Sequence, residues 1–143
     1  MTRTGPRIFT VTEAERTLPL VRRIALDLLS AYPRWRQAVS HYELLAGAAR
    51  AEWGEAPELL AARKAVTGLA ERINGYLLEL EQIGCVFKGF AAGLVDFYAL
   101  REDRLVYLCW RLGEDRIAYW HEVEAGFAGR QPIDSTMFSE TIA

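Results

Sequence analysis

The sequence predicts an α+β domain in which about three antiparallel N-terminal helices pack on a small antiparallel β-meander of three to four strands. Two observations carry this. Apolar residues recur at three- and four-residue steps from Ala14 to Leu80, the period of helices with one buried face. After Gly84 the period falls to two, in runs rich in β-branched and aromatic residues separated by charged turns. Helices followed by strands form a layered α+β order. At 143 residues, about half of them hydrophobic, the chain is long enough to bury one core. It therefore reads as a single domain, 1–143, with a helical half (9–83), a meander (84–133) and a loose, polar-starting tail (134–143).

The first helix opens on Thr10-Val11-Thr12-Glu13, a capping box in which a hydroxyl accepts an orphan N–H and the glutamate answers back. Thr12 with Glu15 is an equally good start two residues later. Ala14, Leu18, Val21, Ala25 and Leu28 form its buried face, and Pro19 is expected to kink it or shift its start. Pro33 should end the element, because the residue before a proline disfavours helical geometry. A second helix then carries Trp35, Val39, Tyr42, Ala46, Ala49 and Trp53 on one stripe. Gly54 to Pro57 is a break. The third helix has a near-heptad stripe from Leu59 to Leu80, with Gly84 suited to its C-terminal cap.

Strands are expected over Gly93–Leu100, Arg104–Leu112 and Ile117–Glu124, with Cys85–Lys88 as a short edge strand. A two-residue Glu102-Asp103 turn sets Asp96 opposite Cys109, Val95 opposite Trp110 and Phe97 opposite Leu108. The second hairpin branches. A two-residue Glu114-Asp115 turn sends His121 to the core face; a three-residue Gly113-Glu114-Asp115 turn puts it opposite Tyr107, on the face of Asp96 and Cys109. One residue of register flips every side chain, so a shared site depends on that turn, with a slight preference for the longer loop.

Charge excludes some classes of function. With 17 basic and 19 acidic side chains the net charge is -2, so no whole-molecule field draws the chain to nucleic acid or an anionic membrane. The local cluster Arg22, Arg23, Arg34 and Arg36 reads as solvated helix surface. Two cysteines without a C-x-x-C pair do not make a disulfide framework. The first nine residues contain no apolar run of signal-peptide length, and no stretch approaches a membrane span. A cytoplasmic chain with reduced thiols is the expectation.

Polar residues suited to chemistry gather in the strand half: Cys85, Lys88, Asp96, Cys109, Glu114, His121, Glu122 and Arg130, among Trp110, Tyr119 and Trp120. Each also has a plain structural reading. A strand histidine is commonly a hydrogen-bonded strut, as is His41 on its helix, and the cysteines and tryptophans suit a core. Asp96 between Val95 and Phe97 is unusual, since aspartate suits strands poorly and a buried charge needs a partner; Lys88 or Arg130 could supply one. Asp96, Glu114, His121 and Glu122 are donor types for zinc or iron, although no metal-motif spacing is present.

In order, Gly84-Cys85-Val86-Phe87-Lys88, Gly93-Leu94-Val95-Asp96-Phe97, Leu108-Cys109-Trp110-Arg111-Leu112-Gly113-Glu114, Tyr119-Trp120-His121-Glu122 and Gly126-Phe127-Ala128-Gly129-Arg130-Gln131-Pro132 resemble the bacterial domain of unknown function 2203 family. Phe9-Thr10, Glu13-Ala14 and Leu18-Pro19 resemble its N-terminal start. Gly89 and Tyr98 depart from the pattern, which has an acid after the lysine and a proline after Val-Asp-Phe; the first position offers no acid in this chain. The resemblance implies no activity, but it does imply that Lys88, Asp96, Cys109, Trp110, Glu114, Trp120, His121 and Arg130 are signature positions.

The sequence thus suggests a small binding or interaction module with a polar site on the meander, self-associating as a homodimer through its helices. Ligand contacts are expected from Lys88, Asp96, Trp110, Trp120 and Arg130. The alternative is a metal- or anion-binding protein, with metal-dependent hydrolysis as its chemistry, using Asp96, Glu114, His121 and Glu122 on zinc or iron. A small molecule or anion is the expected partner in either case.

Overall fold

The structure, a computed structural model, describes residues 6–50, 54, 56–134 and 138. Trp53 and most of the expected loose tail lie outside the described residues. Two helices come first, α1 (Val11–Ala48) and α2 (Pro57–Ile83). Five strands follow: β1 (Cys85–Gly89), β2 (Leu94–Arg101), β3 (Arg104–Arg111), β4 (Tyr119–Glu122) and β5 (Gln131–Pro132). They form one antiparallel sheet in the order β1-β2-β3-β4-β5. Among the described residues no helix is long and apolar enough to cross a membrane.

Two expectations about the elements are corrected. The first and second expected helices are one, because α1 runs on through both Pro19 and Pro33. A proline inside a helix removes one N–H and frees the carbonyl four residues earlier. Both prolines sit on the exposed side of α1, where water can reach that freed carbonyl. The apolar stripe continues across Pro33, with Leu28 and Ala31 buried before it and Trp35 packed against the core after it. The second correction is a fifth strand, β5, beyond the expected three or four.

The helix ends follow local chemistry. Thr10, not Thr12, is the N-cap. Its Oγ1 accepts from Glu13 N at 3.0 Å, and Glu13 Oε1 accepts from Thr10 N at 2.9 Å. Pro57 starts α2, where its missing N–H costs nothing. Gly84 ends it in the left-handed conformation at φ 107°.

The core lies between α1, the C-terminal half of α2 and one face of the sheet. Leu18, Val21, Ala25 and Leu28 of α1 meet Ile73 and Leu80 of α2 and the strand residues Val95, Phe97, Leu108, Trp110 and Trp120. The helices overrun this core. A 38-residue helix is about 57 Å long, whereas an eight-residue strand spans about 27 Å. Beyond Ala31 none of the residues of α1 is fully buried, and in the first half of α2 only Ala62 is. The far part of the helix pair therefore has no sheet beneath it.

Candidate functional site

Strand alternation sorts the polar residues. Across β1, β2, β3 and β4 the partners Cys85, Phe97, Leu108 and Trp120 lie in register and face the helices. Asp96, opposite Cys109, belongs to the other face. The two-residue turn that sets this register is formed by Glu102 (φ 52°) and Asp103 (φ 64°), the left-handed pair of a type I′ hairpin.

The β3–β4 register resolves the branch left open by the sequence. His121 pairs with Tyr107 and so shares the face of Asp96 and Cys109. The connection is longer than three residues, because the ladder stops at Cys109–Tyr119. It is held by side chains instead: Trp110 Nε1 donates to Glu114 O at 2.9 Å, and Arg111 N donates to Glu114 Oε1 at 2.7 Å. Arg130 forks onto both carboxylate oxygens of Glu114, at 2.7 and 3.0 Å, and donates to Cys109 O at 3.1 Å. Its guanidinium lies 4.1 Å from the Tyr119 ring and 4.8 Å from that of Phe127.

Asp96, Cys109 and His121 are buried on the sheet face away from the helices, each no more than 2 % exposed. Their potential donor atoms all lie within 4.8 Å of one another. His121 Nε2 is 3.1 Å from Asp96 Oδ2, and Nδ1 is 2.7 Å from Glu122 O. A carbonyl can only accept, so Nδ1 carries a proton and Nε2 points its other function at the carboxyl. One proton therefore lies in the gap between Nε2 and Oδ2, on either atom. Among the described residues Asp96 Oδ1 is buried without a hydrogen bond of good geometry, the Cys109 thiol being a polar group that interacts with the carboxyl besides His121.

Burial first of all raises the Asp96 carboxyl above its ordinary value, against the opposing charge of His121. Burial, then the neighbouring Asp96 carboxylate, pushes the Cys109 thiol up to about 12, with Arg130 pulling the other way. A protonated thiol is a poor nucleophile, and His121 aims its reactive nitrogen at Asp96. The arrangement does not make a cysteine–histidine catalytic pair.

Over the three side chains lies a hollow of about 300 Å³, lined also by Lys88, Leu94, Val123, Gly126 and Phe127. Its roof is the chain after β4, where Gly126 takes φ 68° and ψ -168° before a 3-10 turn at Phe127–Gly129. Residues with a Cβ essentially never adopt that conformation. The Arg130–Glu114 fork anchors the far end of this roof.

The remaining sequence candidates lie elsewhere. Trp110 and Trp120 belong to the helix-facing core. The Glu114 carboxylate is taken up by Arg130, and that of Glu122 pairs with Arg104 at the exposed end of the sheet. Cys85 faces the helices, its Sγ 3.5 Å from Leu80 O. The sheet thus separates it from Cys109, and a disulfide between the two has no route. The roof residues Val123, Gly126 and Phe127 are not among the sequence candidates, because no local pattern shows which face a post-strand segment covers.

A family model described as an uncharacterized conserved protein (DUF2203) matches residues 7–133. The match spans most of the chain, and the chain belongs to that family. No curated protein and no solved structure matches it.

Proposed function

We propose that this DUF2203 chain binds a zinc-class divalent metal through Asp96, Cys109 and His121. The observation carrying this reading is the convergence of three donor types from three neighbouring strands, with Asp96 Oδ1 buried and, among the described residues, short of a well-formed hydrogen bond. A buried polar atom left unsatisfied costs about 1–3 kcal/mol, and a cation would remove that cost. The His121 Nδ1 bond to a backbone carbonyl supports it too, since metal-ligating histidines generally anchor their other nitrogen in this way. Tetrahedral zinc spaces its ligand atoms roughly 3.3–3.7 Å apart at ordinary bond lengths. The Asp96–His121 distance of 3.1 Å is close to that, and small rotamer changes would bring Cys109 in.

The donor set selects the metal. Thiolate and imidazole favour zinc or iron over magnesium. Three protein ligands would leave the fourth position facing the hollow, the pattern of catalytic rather than closed structural zinc. Hydrolysis by a metal-bound water is the chemistry that such an opening would carry. Metal analysis of untagged protein tests the reading. Equimolar zinc or iron is expected, lost in His121→Ala and Cys109→Ser; a trace of metal indifferent to both substitutions would remove it.

A second reading concerns assembly. The part of the helix pair that overruns the sheet carries Leu44 at 75 % and Leu60 at 38 % exposure. A second copy of this chain, packing along that overhang, is the occupant this surface suits. Light scattering should give a dimer mass at micromolar concentration, and a monomer mass would dismiss it.

A further inference from the structure

The walls of the hollow are of two kinds. Leu94, Val123 and Phe127 give it an apolar side, with Val123 and Phe127 each more than 40 % exposed. Among the described residues lining it, Lys88 is the one cation. Its position has a backbone cause. Phe87 pairs with Val95 and Gly89 with Leu94, so Lys88 is the extra residue of a bulge, and bulges re-aim side chains beside sites. Nζ lies 4.8 Å from the Tyr107 ring centroid; within the described residues it has no hydrogen bond or direct ion pair.

We infer that the hollow takes a small organic molecule with an oxyanion head, a carboxylate or phosphate monoester, set between Lys88 and the metal position, its apolar body lying on Leu94, Val123 and Phe127. The placement of the head rests on the metal reading above. Charge counting favours an anion. A divalent ion is balanced by the Asp96 carboxylate and the Cys109 thiolate, with His121 neutral, so the solvent-exposed ammonium of Lys88 is the remaining charge along the lining of the hollow. A neutral ligand would leave Lys88 to water, whereas an oxyanion in the hollow gains a charge-assisted hydrogen bond from it. The volume, about 300 Å³, sits at the lower end of the roughly 300–1,000 Å³ of small-molecule sites and limits the body to about the size of one ring.

Phenyl phosphate and phenylacetate, titrated calorimetrically into zinc-loaded protein with zinc content measured in each sample, test the inference. At least one is expected to bind the native chain and Lys88→Arg, and to bind Lys88→Met about tenfold more weakly with zinc unchanged, the loss expected for one charge-assisted hydrogen bond. Which of the two binds identifies the head. Inorganic phosphate should bind more weakly than phenyl phosphate, and benzyl alcohol not measurably. Equal affinity in Lys88→Met, no binding by either acid, or benzyl alcohol binding as well as the acids overturns the proposal. Failure to load zinc sinks the metal reading by itself. The same titration of metal-free protein then judges the Lys88 contact alone, by its sensitivity to Lys88→Met.

Discussion

Asp96 and His121 admit two roles at the scale of single residues, and substitution separates them. If the pair were a buried ion pair acting as a strut, removing one charge would strand the other at about 3–5 kcal/mol. If the one proton in the gap instead sits on the carboxyl, both groups are neutral in the metal-free protein, and an amide can replace the protonated carboxyl as the donor to Nε2. Asp96→Asn is therefore expected to change the unfolding free energy of metal-free protein by less than about 1.5 kcal/mol while abolishing metal uptake. Denaturant melts with parallel metal analysis check both halves. Uptake should also fall as pH falls, because the Cys109 thiol proton and the shared proton must both leave.

Cys85 gives a pH prediction clear of the site. Burial pushes its thiol up from 9.0 to about 12. The folded state thus holds a proton that the unfolded chain releases first. The stability this contributes is full below pH 9 and is lost as pH rises toward 12. Cys85→Ala should flatten the part of the alkaline stability loss due to this thiol, as read from melting midpoints between pH 8 and 11 in metal-free protein.

At the scale of elements, the β2–β3 turn holds two non-glycine residues in the left-handed region, where a side chain costs about 1–2 kcal/mol. Asp103→Gly should stabilise the protein by about 1 kcal/mol in denaturant melts without altering register. The Arg130–Glu114 fork is mostly shielded, its side chains 12 % and 24 % exposed. Breaking it with Arg130→Ala should cost about 2 kcal/mol, discounted for that exposure. Amide exchange at Val123 to Phe127 should quicken as the roof loses its anchor.

Elements also show what the sequence could express. The Glu102-Asp103 register rests on neighbouring residues and was legible, including Asp96 opposite Cys109, while the Thr10 capping box was legible as one of two equal starts. The β3–β4 register was legible only as a choice, because it depends on Glu114 being gripped by Trp110, Arg111 and Arg130, the last of these 16 residues away. The passage of α1 through Pro33 was not legible, since it depends on which side of the helix faces water. Gln131-Pro132 gives no strand signal by itself; its pairing is set by β4.

For the whole molecule, a sheet covered by helices on one face has a second face to protect. A post-strand segment and one lysine cover it in part, and the uncovered remainder is the hollow. That division of the sheet, core on one side and donors on the other, is the reason for reading a site in this fold. The tail takes part too: Phe138 is buried beside Trp120 and bridges to Arg101, so the end of the chain is at this point tied to the core.

X-ray absorption at the zinc edge, on protein loaded with one equivalent, tests the central claim most directly. A metal held by Asp96, Cys109 and His121 requires one sulfur near 2.3 Å together with nitrogen or oxygen near 2.0–2.1 Å, and loss of the sulfur in Cys109→Ser. A shell of oxygen and nitrogen alone in the native protein, or a sulfur that persists in the serine variant, would contradict it.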